Sequence, residues 1–247
     1  MTIFNVGGGG GGDGSPTFKE MTSAPYSITA SDWGNHYSTI RQYQFYYDTL
    51  LESIEIPSGI TSIGSDAFNN CSALTDVIIG SDVLTIGSGA FQYCTALTDV
   101  TIPSSITTIV SSAFYGCTAL ANITIPSSVT AMGANAFYGC TSLTDITIPS
   151  SVLDIGANAF RNCSAMASVT IDNPSSLNIQ NYAFRSIATN VAGGCTITLT
   201  GSTPPTITAN TFTGASIAKI IVPQGSLTAY QTATNWATYA NLMEEAS

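Results

Sequence analysis

The chain has a single histidine, His36, set beside Trp33 and Tyr37. A Ser-His-Asp or Cys-His centre would need that imidazole, because a general base must titrate near neutrality. No Ser or Cys with reactive surroundings lies near it in the sequence, so no catalytic residue is assigned. The run Gly7–Gly12, followed by Asp13-Gly14, is not a phosphate loop. It lacks the terminal Lys-Ser/Thr and the flanking strand and helix that such a loop requires. It reads as a flexible tail.

Cysteine is the next reactive type. Cys71, Cys94, Cys117, Cys140 and Cys163 stand 23 residues apart, which matches no zinc-ligand spacing. Stacked coils could bring two together, but parallel side chains in a ladder seldom offer the disulfide dihedral. Buried free thiols filling a core are expected. Cys195 falls outside the register.

Two rows of polar residues share the same step. One holds Asp76, Asp99, Asn122, Asp145 and Ser168; the other holds Ile78, Thr101, Thr124, Thr147 and Thr170. An aspartate row invites a hard cation, yet calcium needs six to eight oxygens around one point rather than one carboxylate per coil. No metal and no cofactor are expected. The threonine row offers regular hydroxyl donors and acceptors. Asp76, Asp99, Thr101, Asn122, Thr124, Asp145, Thr147 and Thr170 are therefore taken as a candidate ligand face, against the plainer reading that Thr is a good exposed strand residue. Tyr93, Tyr115 and Tyr138, just after Phe91, Phe114 and Phe137, form a secondary candidate stripe. Tyrosines of this kind are either binding anchors or shields for neighbouring coils.

What positions these rows is an internal repeat. Phe68, Phe91, Phe114, Phe137 and Phe160 keep the 23-residue step, as do Ile79, Ile102, Ile125, Ile148 and Ile171. In the unit from Leu97 to Ala119, Leu97, Val100 and Ile102 point inward while Asp99 and Thr101 point out of the pleat. Pro103 ends the strand, Ile106 and Ile109 return to the interior, and a short helical or irregular arc carries Phe114 as its buried anchor. One unit cannot bury its apolar face, but stacked units bury one another's. The register reaches back to Ile40, Phe45 and Leu51. It stretches to 24 residues before Phe184 and 28 before Phe212.

These features predict an α/β solenoid. A glycine-rich tail spans 1–15, and an aromatic-rich N-terminal cap with a degenerate repeat spans 16–50. Repeat coils fill 51–195, with irregular final coils and a helical cap over 196–247. Lys219–Pro223 is expected as the last strand, followed by a helix with Ser226 as N-cap. Leu227, Tyr230, Trp236, Tyr239, Leu242 and Met243 would cover the open end.

Composition narrows the partners. The five basic residues (Lys19, Arg41, Arg161, Arg185, Lys219) are scattered among fifteen acidic ones, for a net charge of -10. Nucleic acids and anionic membranes need clustered cations and are poor candidates. No apolar run approaches the roughly 18 residues that cross a bilayer. Met1–Val6 shows no basic and apolar pattern of a secretory signal.

Residues 143–163 read LTDITIPSSVLDIGANAFRNC, and the chain ends on IIVPQGSLTAYQTATNWATYANLM before its last four residues. Both segments resemble the BspA-like (Treponema-type) leucine-rich repeat family, and the resemblance covers about Leu51 to Met243. It implies a right-handed superhelix with a parallel sheet along one face, and adhesion or protein binding outside the cell. The leading expectation is a noncatalytic binding protein at a cell surface, recognising a protein or carbohydrate on a host or neighbouring cell. The alternative is a phage or prophage virion component, such as a tail-associated receptor-binding protein. A glycan-active enzyme comes third; it would need two carboxylates roughly 5 to 9.5 Å apart.

Overall fold

The computed structural model describes residues 25–33, 38–172 and 176–247. The glycine run, Asp13-Gly14, Lys19, His36 and Tyr37 lie outside the described residues.

Each coil begins with a strand in which apolar and polar residues alternate. In Asp99–Thr101 only Val100 is buried, and Asp145–Ile148 buries Ile146 and Ile148 alone. Equivalent strands pair in parallel with partners one coil apart, such as Asp76 with Asp99 and Val77 with Val100. Tyr26–Ile28, Leu51–Ile56, Asp76–Ile79, Asp99–Thr101 and Asn122–Thr124 make one five-stranded sheet. Asp145–Ile148, Ser168–Ile171, Cys195–Leu199, Ile217–Val222 and Met243–Glu245 make another. Two-residue strands, from Thr39–Ile40 to Thr206–Ile207, form a second row. The result is a parallel-strand β-solenoid of about nine turns with little helix.

The arc that carries each Phe is not a helix. Asp66 and Asn70 sit in left-handed conformation at φ 54° and 64°, on either side of Ala67-Phe68-Asn69. Between these two left-handed residues successive amides point in opposite directions. Asp66, Phe68 and Asn70 donate to Ser88, Ala90 and Gln92 of the next coil at 2.8–2.9 Å. Ala67, Asn69 and Cys71 donate back within their own coil to Gly64, Asp66 and Phe68. The arc amides are thus satisfied alternately within and between coils.

Phe45, Phe68, Phe91, Phe114, Phe137, Phe160, Phe184 and Phe212 stack in one column. Ring centroids are 5.0–5.6 Å apart and interplanar angles are 14° or less. The longer steps to Phe184 and Phe212 are absorbed elsewhere in the coil, so both rings stay in the column. Beyond Phe212 the column meets Trp236, tilted by 54°, and Tyr239, edge-on.

The end of the chain holds more strand and less α-helix than the sequence suggests. The α-helix is only Leu227–Thr232, followed by a 3₁₀ segment Trp236–Leu242. Ile217–Val222 is not the last strand, because Met243–Glu245 pairs with its end. Ser226 makes no capping bond; its hydroxyl donates instead to the Pro223 carbonyl. Tyr230 and Trp236 are buried, whereas Leu227, Tyr239, Leu242 and Met243 are half-buried.

The six cysteines are buried and free. Each thiol of the regular column donates to the carbonyl of the Phe one coil back, from Cys71 to Phe45 at 3.0 Å through Cys163 to Phe137 at 3.3 Å. Burial pushes the thiols of Cys117, Cys163 and Cys195 up to about 12.

A glycine column sets how closely the coils approach. Gly64, Gly87, Gly133 and Gly156 lie so near the preceding coil that a Cβ would fall 2.3–2.6 Å from a backbone nitrogen. Each donates its N–H to that coil at 2.7–2.8 Å. The equivalent position between Gly87 and Gly133 is Val110. There the short-strand row breaks, with Thr85–Ile86 ending one sheet and Thr108–Ile109 beginning the next. In the longer coil after Gly156 the position is held by Gln180, and there the row continues; the β-branched Val110 is the residue at the break.

Gly133→Val is therefore expected to destabilise the fold by about 1–3 kcal/mol in urea unfolding, with faster amide exchange at position 133. An unchanged midpoint would show slack between these coils. A second outcome concerns pH. The unfolded thiols release protons near 9 while the folded ones hold theirs to about 12. The unfolded state thus binds fewer protons between those values, and stability falls as pH rises through that window. Thiol titration should find little reaction at pH 8 and six groups in denaturant, counted from the six cysteines; ready native reaction would contradict the buried column.

Candidate functional site

The strands place the predicted residues on one outward face. Asp76, Asp99, Thr101, Asn122, Thr124, Asp145 and Thr147 are exposed, and Thr170 is half-buried. Cross-coil partners follow the predicted rows: Asp99 lies beside Asn122, Thr101 beside Thr124, and Thr147 beside Thr170. The threonine row also extends further than its spacing predicted, because Thr170 pairs with Thr198 and Ser168 with Thr196. Those two escaped the fixed step because the coil before them is longer. The alternation in Cys195-Thr-Ile-Thr-Leu was the available signal.

The hydroxyls divide into two populations. Thr61, Thr75, Thr98, Thr118, Thr130 and Thr141 each donate to a backbone carbonyl of the preceding coil at 3.0–3.4 Å. Ser105, Ser128 and Ser151 do the same. These side chains clamp the stack. Thr101, Thr124, Thr147 and Thr170 have no hydrogen-bond partner among the described residues, and so present their donor and acceptor capacity to solvent.

The row that holds the aspartates pairs across coils in the order its spacing gives. Asp76 faces Asp99, but Asp99 then faces Asn122, and Asp145 faces Ser168. Asp145 also accepts a bond from the Thr144 hydroxyl at 2.7 Å. Among the described residues no three His, Cys, Asp or Glu side chains converge as a metal set would. Lys219 is the cation nearest this face in register, and Glu244 pairs with it at 2.8 Å.

The face is not a continuous sheet. Asn122–Thr124 ends one sheet and Asp145–Ile148 begins the next. The Thr144 amide still reaches the Ala121 carbonyl at 3.4 Å, as Thr98 reaches Thr75 inside the first sheet, so the two sheets stay in contact across the seam. A groove of about 320 Å³ opens there, and Asn122, Thr124, Asp145 and Thr147 contribute its polar lining. Its apolar lining is Ile123, Ile125, Ile146 and Pro149. The core beneath is more open at this point, where Ile123 is 9% exposed against 2% for the equivalent Val100 and Ile146. The groove volume sits at the low end of small-ligand sites, which run from about 300 Å³ upward.

The tyrosine stripe splits in two. Tyr115 and Tyr138 stack at 4.7 Å and 2°, and the Arg161 guanidinium lies 5.4 Å from the Tyr138 centroid. The faces of this pair are thus largely occupied by the protein. Tyr93 is one position later in its coil than Tyr115, at a left-handed φ of 57°. Its ring meets Tyr115 edge-on and lies against the α-carbon of Gly116, where a Cβ would come within 2.6 Å.

The family profile described as the BspA type leucine rich repeat region matches in six copies, over residues 38–167, 84–190 and 107–235. No curated protein matches the chain. Among solved structures, a leucine rich repeat protein of T. pallidum is 25% identical, with 71% of this chain and 69% of that one covered and a TM-score of 0.47. A leucine rich cell surface protein from Faecalibacterium prausnitzii is 22% identical, with 96% and 92% covered and a TM-score of 0.49. The repeat profile covers well over half of the sequence in register with the stacked coils, and the chain belongs to the BspA type leucine rich repeat family.

Proposed function

We propose that this protein is a noncatalytic adhesion module, displayed outside the cell, whose strand face binds a protein or carbohydrate on a host or neighbouring cell. Leucine-rich repeat proteins are generally binding or adhesion scaffolds. The observation that carries the reading is the division of the hydroxyls. Thr75, Thr98, Thr118, Thr130 and Thr141 bond to the preceding coil, while the outward strand residues Thr101, Thr124, Thr147 and Thr170 do not and stand together in one row.

The arrangement suits recognition of an extended ligand. Coils recur about every 4.8 Å along the stack, so a ligand lying across them meets the same donor and acceptor set repeatedly. The groove between Asn122–Ile125 and Asp145–Pro149 gives that otherwise regular face one distinct point, where a side chain or sugar of the ligand would seat. Such faces are the usual working surface of stacked repeats. Acidic residues on the face and the paired Lys219 favour a neutral or basic ligand surface.

Purified protein should bind cultured epithelial cells. Thr101→Tyr, Thr124→Tyr and Thr147→Tyr should each reduce that binding by about tenfold or more, a loss of roughly 1.4 kcal/mol or greater. Leu153→Ala, at an exposed position of the second row, should leave it unchanged. Equal binding by all three threonine variants and wild type would remove the strand face from consideration.

A further inference from the structure

The first arc presents three tyrosines that the aromatic-rich start of the chain suggested would act as a cap. Tyr43, Tyr46 and Tyr47 are 53%, 46% and 59% exposed, among the most exposed large side chains of the described residues. They cover little of the core, which here belongs to Phe45.

Two of them occupy unusual backbone. Tyr43 and Tyr47 both lie at φ 59°, a region that bulky residues rarely adopt. The same two positions in later coils are mostly filled by Asp, Asn or Gly, such as Asp66, Gly89 and Asn135, then Asn70, Gly116 and Gly139, although single tyrosines recur there at Tyr182 and Tyr93; only the first arc carries tyrosine at both. Tyrosine here is therefore held against local backbone preference, and burial does not offset it. Strain of this kind gathers at functional sites.

The rings hold one another in place. Tyr43 meets Tyr46 at 5.3 Å and 77°, and Tyr46 meets Tyr47 at 4.7 Å and 70°. Edge-to-face contacts hold the trio together while each residue stays 46–59% exposed, unlike the closed stack of Tyr115 on Tyr138. Beside them in the next coil, Asn70 donates its amide N–H to the Asn69 side chain, and Asn69 donates to Asp66. The Asn70 side-chain oxygen takes no donor among the described residues, and the Asp66 carboxylate is engaged. The cluster thus combines exposed aromatic rings, phenol hydroxyls, of which those of Tyr46 and Tyr47 bond to each other, and an amide carbonyl.

That set matches one ligand chemistry well. A pyranose carries an apolar C–H face that rests on an aromatic ring, bordered by hydroxyls that bond phenols and amides. A protein anchor would favour aliphatic neighbours, and the trio has none beside it in the columns that hold it. We propose that Tyr43, Tyr46 and Tyr47 form a platform for a neutral hexopyranose at the end of a glycan. The site lies on the arc edge and does not depend on the strand face.

The test uses the full chain with cellobiose, lactose and N,N′-diacetylchitobiose as probes in saturation-transfer NMR. Sorbitol, which has hydroxyls but no rigid C–H face, is the control. At least one disaccharide should bind and sorbitol should not. Tyr43→Asn, Tyr47→Asn and Tyr46→Ala should each weaken binding by about fivefold to tenfold. Tyr43→Asn and Tyr47→Asn should melt at or above the wild-type temperature, because asparagine tolerates the left-handed backbone. The proposal is overturned if no disaccharide binds, if sorbitol binds equally, or if the variants bind like wild type. A fall in melting temperature for the two asparagine variants would overturn it as well, by showing that the tyrosines serve packing.

Discussion

The contact on which everything else rests is one phenylalanine ring lying flat on the next. Rings 5.0–5.6 Å apart fit the spacing of parallel strands, which is about 4.8 Å. The aromatic column and the strand ladder can therefore share one rise per coil. The arcs satisfy the same condition through their backbone: every second amide reaches into the next coil, so the side of the solenoid without strands is still hydrogen-bonded along its length. A helical arc would have turned those amides inward and left the coils joined on that side by side chains alone.

Close stacking explains much of the composition. Glycine stands where one coil touches the backbone of the last, and cysteine fills the space behind Phe68, Phe91, Phe114, Phe137 and Phe160 while donating a hydrogen bond to a carbonyl. Serine and threonine occupy positions from which a short hydroxyl reaches the previous coil. Residues of this size are needed because longer polar chains would not fit between coils, and their hydroxyls and amides stand in for the charge the chain lacks. The two sheet breaks show how narrow the tolerance is. At Val110 the short-strand row is lost, yet the Phe column passes through that coil undisturbed.

The same uniformity shapes the surface. A solenoid repeats each outward position, so a row becomes a site only where something distinguishes it from its neighbours. On the strand face the distinction is a row of outward hydroxyls broken by a seam at Asn122 and Asp145. On the arc edge it is aromatic residues in backbone positions that suit Asn, Asp and Gly. The two surfaces differ in chemistry, one hydroxyl- and carboxylate-bearing, the other aromatic and amide-bearing.

The sequence alone determined the coil, its 23-residue length, the inward and outward residues, and the family resemblance. These are properties of a single repeated unit, and alternation with spacing is enough to specify them. Cys71 to Cys163 could be read as buried thiols for the same reason. The tertiary structure decided what happens between units. Spacing did not reveal that the regular arcs each carry two left-handed residues four positions apart, that the strand sheet parts between Asn122 and Asp145, or that Met243–Glu245 adds a final strand. Nor did it show that Thr101 stands free while Thr98 is bound, or that Tyr43 and Tyr47 face solvent. Each of these depends on distances between atoms of neighbouring coils, which a one-dimensional pattern does not contain.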